Sequence, residues 1–267
     1  MPGIYNLDSL NLAVNPLITD ATVIRCHNVE RDLIGGWKKR PGYQTYLGTA
    51  NGSAIDSLFT YTQNNGTTFW NYRASGGIVY SSQQGTGTWT ITGNGTMTAG
   101  SPVYSGVALT SGSNTLMIGD GGSATRHSLD GTSFTNTTSA PVARGFMDYQ
   151  ERMYAIGTAS TLVWSNVGTV TDWTNDSSSL LVPGPGRLHT LMKAGDRLIS
   201  TKNYGNIYRW DGFSMGDLAT NLGPSSPFSI GTTEGFYFWL NRLGEFAYGG
   251  NKPEIISNSI ERIIYND

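Results

Sequence analysis

Short runs of alternating apolar and polar residues, each cut off by a glycine or an Asx-Gly pair, fill this chain from about residue 57 onward, and a helical period is almost absent. Alternation of this kind suits half-buried strands, and Gly, Asn and Asp supply the positive-φ positions of tight turns. The runs fall into groups. The first holds SLFTYT (57–62), TTFWNYRA (67–74), GIVYSSQ (77–83) and TWTIT (88–92). The second holds VYSGVALT (103–110), NTLMIGD (114–120), ATRHSL (124–129) and SFTNT (133–137). The third holds GFMDYQ (145–150), RMYAIGTA (152–159), TLVWSNV (161–167) and TDWTND (171–176). A fourth reads LHTLMKAG (188–195), DRLISTKN (196–203) and NIYRWDG (206–212), and a fifth PFSIGTTE (227–234), GFYFWLNRLG (235–244) and EFAYGG (245–250).

A period of about 40 to 50 residues with roughly four strands per unit is the sequence form of a β-propeller blade. The second run of each group is built as polar-apolar-Tyr/Phe/Met-apolar, as in NTLMIG and ERMYAIG, which suits a strand sandwiched between neighbouring blades. The expected fold is all-β and β-propeller-like, with about five or more four-stranded blades over 51–267, the last of them incomplete. An extended segment and hairpin precede it over 1–50. A parallel β-helix or a jelly roll is the rival. Composition agrees: only 13% of residues are charged and 35 of 267 are glycine, so the wet faces are built from Ser, Thr, Asn and Tyr rather than from the Lys and Glu of amphipathic helices.

Charge and cysteine usage remove several classes of function. The net charge of −2 provides no general field toward nucleic acid or anionic membranes. Cys26 is alone, so no intrachain disulfide framework exists, and a buried small hydrophobe is its expected role. The N-terminus lacks the charged and apolar regions of a secretion signal, and no stretch reaches the ~18 apolar residues of a membrane span.

Catalytic patterns are thin. His27, His127 and His189 stand far apart without metal-ligand spacing, and neither a phosphate-cradling loop nor a nucleophile elbow occurs. Asp56, Asp148, Asp196 and Glu234 lie near group starts, and Arg144, Arg187 and Arg197 invite reading as a clamp for an acidic sugar; solvated turn residues are the expected reading of all seven. The expectation is therefore no enzyme, no metal and no cofactor. The runs YSSQQGTGTW, HSLDGTSF and WSNVGTVTDW each place a glycine between a Ser- or Asn-bearing turn and an aromatic. They resemble the Asp-box turn of sialidases, Ser-x-Asp-x-Gly-x-x-Trp, with Asp130 and Gly131 the nearest approach and Phe134 in place of the tryptophan. Such turns are structural.

GGWKKRPGYQTYL (35–47) gathers Lys38, Lys39 and Arg40 close to Arg31 and is read as part of a hairpin, with Arg40-Pro41-Gly42 as its turn; a nucleic-acid patch is the rival. Asn15, Pro16, Asn28, Val29, Gly36, Lys39, Arg40, Pro41, Gly42 and Tyr43, with LVWSNVGTVTDW (162–173) and KPEIISNSIERII (252–264), resemble landmarks of a group of tailed-bacteriophage virion proteins that includes β-propeller nozzle or tail-tube components. The resemblance implies a ring-forming structural protein of the virion tail, self-assembled, as a hexamer, and assembled in the host cytoplasm. It lines or closes the DNA ejection channel, with transient contact to passing DNA, and docks to adaptor, portal-proximal and tail-fibre proteins, with no membrane span. The residues expected to carry turn and assembly roles are Asn28, Arg40, Pro41, Gly42, Tyr43, Asp130, Gly131 and Trp173. The alternatives are a carbohydrate-binding or sialidase-like propeller that reads host glycans, and a capsid decoration protein.

Overall fold

A computed structural model describes the backbone of residues 29–31 and 37–39, and residues 52–256 apart from 85, 87, 111–112, 175–177, 195, 204, 228, 234–235 and 251. The chain divides into two units, Met1–Tyr46 and Leu47–Asp267.

In the first unit, β1 (Val29–Arg31) pairs antiparallel with β2 (Trp37–Lys39), in a register that sets Glu30 opposite Lys38. Lys38 and Lys39 are therefore strand residues. Asn28, Arg40, Pro41, Gly42 and Tyr43, together with Cys26 and His27, lie outside the described residues.

The second unit is five four-stranded antiparallel sheets, each made from one continuous stretch of chain. Blade 1 is β3 (Ile55–Thr62), β4 (Phe69–Ser75), β5 (Ile78–Gln83) and β6 (Thr90–Thr96). Blade 2 is β7 (Tyr104–Thr110), β8 (Ser113–Gly119), β9 (Arg126–Ser128) and β10 (Thr135–Asn136). Blade 3 is β11 (Arg144–Tyr149), β12 (Arg152–Ile156), β13 (Thr161–Trp164) and β14 (Ser178–Leu181). Blade 4 is β15 (Leu188–Ala194), β16 (Arg197–Lys202), β17 (Ile207–Trp210) and β18 (Met215–Ala219). Blade 5 is β19 (Ile230–Thr233), β20 (Phe236–Asn241), β21 (Gly244–Tyr248) and β22 (Glu254–Ile255). The fold is all-β and β-propeller-like, as the period implied.

Three strand assignments change, one of them the outer strand Met215–Ala219, which the fourth group lacked. The run TDWTND, expected to be the fourth strand of its group, is a turn in its described part, and the outer strand is the following Ser178–Leu181. The side chains explain it: Asp172 accepts from the Thr174 backbone N–H (3.0 Å) and hydroxyl (2.6 Å), while the buried Trp173 donates its indole N–H to the Val170 carbonyl (3.0 Å). Local bonds of this kind compete with ladder pairing. The last blade is also not short of a strand, because Glu254–Ile255 pairs with β21.

Four buried clusters hold the blades together, each shared by neighbours. Tyr61, Tyr72 and Val79 of blade 1 meet Leu116 and Ile118 of blade 2. Met117 of blade 2 meets Phe146, Met153 and Ala155 of blade 3, joined by Trp173. Tyr154 and Ile156 of blade 3 meet Leu191, Leu198 and Tyr208 of blade 4, and Ile199 of blade 4 meets Tyr237 and Trp239 of blade 5. Middle strands supply both sides. Leu116, Met117 and Ile118 are consecutive and all 0% exposed, because alternation turns the first and third toward blade 1 and the second toward blade 3. Among the described residues no such cluster joins blade 5 to blade 1.

Candidate functional site

The first strands of the blades line an open cleft of about 700 Å³. Its wall is largely apolar: Leu58 and Phe59, Val103, Phe146 and Met147, Leu191 and Met192, then Ile230 and Tyr237. Among the described residues Asp56 is its one carboxylate, and no Lys, Arg or His lines it. The Ser57 hydroxyl beside Asp56 is already engaged, accepting from the Val103 backbone N–H (2.8 Å) and donating to the Asp56 carbonyl (2.7 Å), which ties blade 1 to blade 2. A pocket of this size and lining suits an apolar side chain or small molecule, and it lacks the cations that hold phosphate.

Neither Asp148 nor Asp196 lines this cleft. Asp148 pairs with Lys193 across blades 3 and 4 at 2.9 Å, Asp196 lies 3.7 Å from Arg197, and Glu234 is outside the described residues. His127 shares a 3.1 Å hydrogen bond with the Thr137 hydroxyl, and burial lowers its pKa. His189 is lowered by burial first and then by the positive charge of Arg144. Among the described residues no group of His, Cys, Asp or Glu could hold a metal ion, and no helix is long and apolar enough to cross a membrane.

The Asp130 turn is where the sequence-derived residues come together. Asp130 Oδ1 accepts from the N–H groups of Thr132 (2.8 Å) and Ser133 (3.0 Å), and from the Ser128 hydroxyl (3.1 Å), while Oδ2 accepts the Thr132 hydroxyl (2.9 Å). Burial works to raise its pKa, but the donors from Ser133, Thr132 and Ser128 hold it down to about 2. Gly131 takes φ +81°, and a Cβ there would lie 2.5 Å from the Trp70 ring of blade 1. The turn is gripped across the seam: Tyr72 donates its hydroxyl to the Gly131 carbonyl (2.7 Å), Tyr61 donates to Leu129 (3.0 Å), and the Gln63 amide donates to the Asp130 carbonyl. Trp173 stands apart from this turn, buried between blades 2 and 3.

A second copy of the latch joins blades 3 and 4. Asp211 Oδ1 accepts from the N–H groups of Phe213 and Ser214 (both 2.8 Å), Gly212 has φ +103°, and the Gln150 amide donates to the Asp211 carbonyl (3.1 Å). The backbone N–H of Ser214 is the main reason that the Asp211 carboxyl is held down to about 2. This turn was not singled out from the sequence, although the signal is there: LDGTSF (129–134) and WDGFSM (210–215) share Asp-Gly-x-Ser, each preceded by a glutamine just past the neighbouring blade's first strand.

No family model and no curated protein matches the chain. Solved structures do. The BBS1N chain of a complex with ARL6DN is similar over 82% of this chain and 71% of its own length, at 10% identity and a TM-score of 0.53. Raptor of Chaetomium thermophilum is similar at 13% identity and a TM-score of 0.51, over 77% of this chain and 20% of that one. PorZ of Porphyromonas gingivalis is similar at 13% identity and a TM-score of 0.50, over 79% of this chain and 28% of its own. At such identities the likeness is one of fold, the β-propeller.

Proposed function

We propose that this chain is a structural component of a bacteriophage tail, a ring-forming nozzle or tail-tube protein that docks to adaptor and fibre proteins and works by assembly rather than catalysis. The observation that carries this reading is the pair of sequence landmarks at the two ends of the chain, around KRPGY (39–43) and KPEIISNSIERII (252–264), flanking a propeller of low charge. The geometry supports it in one respect. A ring subunit needs two unlike edges, because a heterologous contact closes by rotation. The face of blade 1 turned away from blade 2 carries exposed Phe69 and Ile91, and that of blade 5 turned away from blade 4 carries exposed Phe236 and Leu240.

On this reading DNA passes through the lumen between copies, since the propeller's own cleft has the size of a small-molecule site. A slightly acidic protein surface does not retain phosphates, so the genome slides. The chain is then a resident of the virion tail, assembled in the host cytoplasm, as a hexamer by family resemblance. The test mixes the purified chain with tail-less particles of its phage and images them. Addition of a ring at the portal vertex is the expected outcome, and Phe236→Asp with Leu240→Asp should lower ring occupancy at least tenfold while leaving a β-rich circular dichroism spectrum. Absence of a ring, together with saturable binding to or hydrolysis of members of a glycan panel, overturns the reading in favour of a sugar-directed propeller.

A further inference from the structure

We propose that Arg144 and Arg187 form a recognition site for a single oxyanion group, a phosphate or carboxylate carried on a larger molecule. Arg144 opens β11 and Arg187 immediately precedes β15, so two neighbouring blades bring both guanidinium groups to the same end of the propeller. There they line one pocket of about 100 Å³, whose remaining wall is mostly small residues, among them Gly121, Gly157, Thr158 and Ser160.

Among the described residues no acidic residue lines this pocket, and the ion pairs, Lys193–Asp148 and Arg197–Asp196, involve neither arginine. Two like charges around one small cavity repel, and an anion between them removes that cost. The positive charge here is local, since the chain as a whole carries −2. Arg144 is held in place by donating Nη2 to the Leu188 carbonyl (3.3 Å). The loop bearing Arg187 is tied down by the Ser160 hydroxyl, which accepts from the Leu188 N–H (2.9 Å) and donates to the Gly186 carbonyl (3.4 Å). Ala159 and Ser160 hold φ of 52° and 64°, conformations that non-glycine residues adopt at a cost and that cluster at ligand clamps. The Nε2 of His189, a residue that feels the charge of Arg144, is buried without a hydrogen-bond partner.

The volume admits one oxyanion and excludes a sugar ring or a base, so the rest of the ligand lies in solvent beyond the exposed Arg187. Guanidinium forks suit this chemistry because they donate two parallel hydrogen bonds to a planar or tetrahedral oxyanion. Arg197, the third arginine of the acidic-sugar clamp considered from the sequence, sits beside Asp196 and does not line this pocket. The site does not depend on the tail reading.

The test titrates the full chain with methyl phosphate and with glucuronate by calorimetry, against chloride at matched ionic strength. Saturable one-site binding of at least one probe is expected, and which probe binds tells a phosphate ester from a sugar acid. Arg187→Ala should weaken binding at least about tenfold, the loss of a charge-assisted hydrogen bond. Arg187→Lys should fall between, and Arg197→Ala should bind as the parent does. Arg187 is exposed, so its variants keep the fold, which a melting curve checks. The proposal is overturned by the lack of saturation above the chloride control, or by undiminished binding in the folded Arg144→Ala/Arg187→Ala double variant.

Discussion

The second strands of blades 2, 3 and 4 bury consecutive residues and that of blade 1 does so only in its last four, Tyr72 to Ser75, whereas that of blade 5 buries one face and leaves the other. In β8, β12 and β16 the alternation serves two seams at once, with Leu198 turned toward blade 3 and Ile199 toward blade 5. In β4 the inward Tyr72 and Ala74 pack on blade 2, but Asn71 and Arg73 share the opposite face with the 69% exposed Leu58. That face caps itself in part: the Arg73 guanidinium lies over the rings of Tyr80 (4.8 Å) and Trp89 (4.9 Å). In β20 the inward Tyr237 and Trp239 pack on blade 4, while Phe236 and Leu240 remain 47% and 40% exposed. A strand's place in the array, more than its propensity, therefore decides how apolar it is. Repeat arrays behave this way because each unit contacts only its neighbours and the terminal units differ.

The sharpest way to break the comparison is to delete equal side chains on both kinds of face. Leu198→Ala, in the seam of blades 3 and 4, should cost about 2–5 kcal/mol. Leu58→Ala should stay within about 0.5 kcal/mol, as for other exposed sites. Denaturant unfolding measures both, and equal costs would mean that the blade 1 face is covered as the inner seams are.

A smaller effect is expected at the latch. Gly131→Ala combines a positive φ with a collision against Trp70, and should cost roughly 1–3 kcal/mol. Gly100→Ala, with φ +73° but open space around it, meets only the backbone penalty and should cost less in the same assay. If the two variants melt together, the Asp130 turn is not pressed onto blade 1.

The smallest expected effect is a pH slope. Asp130 and Asp211 are both held down to about 2 by hydrogen bonds to the ionised form, against roughly 4 in an unfolded chain. A depressed carboxyl contributes stability that is complete above the unfolded value and is lost as pH falls through the folded one, here from about 4 to about 2. Asp130→Asn should flatten the fall of Tm across that window. A variant slope equal to the parent's would show that the carboxylate contributes nothing as an ion.

Strand runs were readable wherever alternation was long and flanked by glycine. All four runs of blade 1, from SLFTYT to TWTIT, match strands within a few residues at each end. The short outer strands were not: MGDLA and the two-residue Glu254–Ile255 have no apolar period of their own and are strands because a neighbour offers an edge. TDWTND looked like a strand because its tryptophan is apolar, yet Trp173 is buried from within a turn. The Asp130 turn was legible because all its capping atoms lie within six residues, Ser128 to Ser133. Its grip by Gln63, Tyr61 and Tyr72 was not, since those bonds span 67, 68 and 59 residues.

By itself, then, the sequence determined that this protein is made of strands in repeating sets of about four, because side-chain alternation and turn chemistry act over a few residues at a time. Only the tertiary structure decided which face of each strand meets another blade. It also decided that Asp211 repeats the work of Asp130, and that Arg144 and Arg187 share a pocket free of carboxylates. Those relations are set by packing one blade against the next, which places residues about one repeat apart side by side although nothing in the intervening sequence marks them as neighbours.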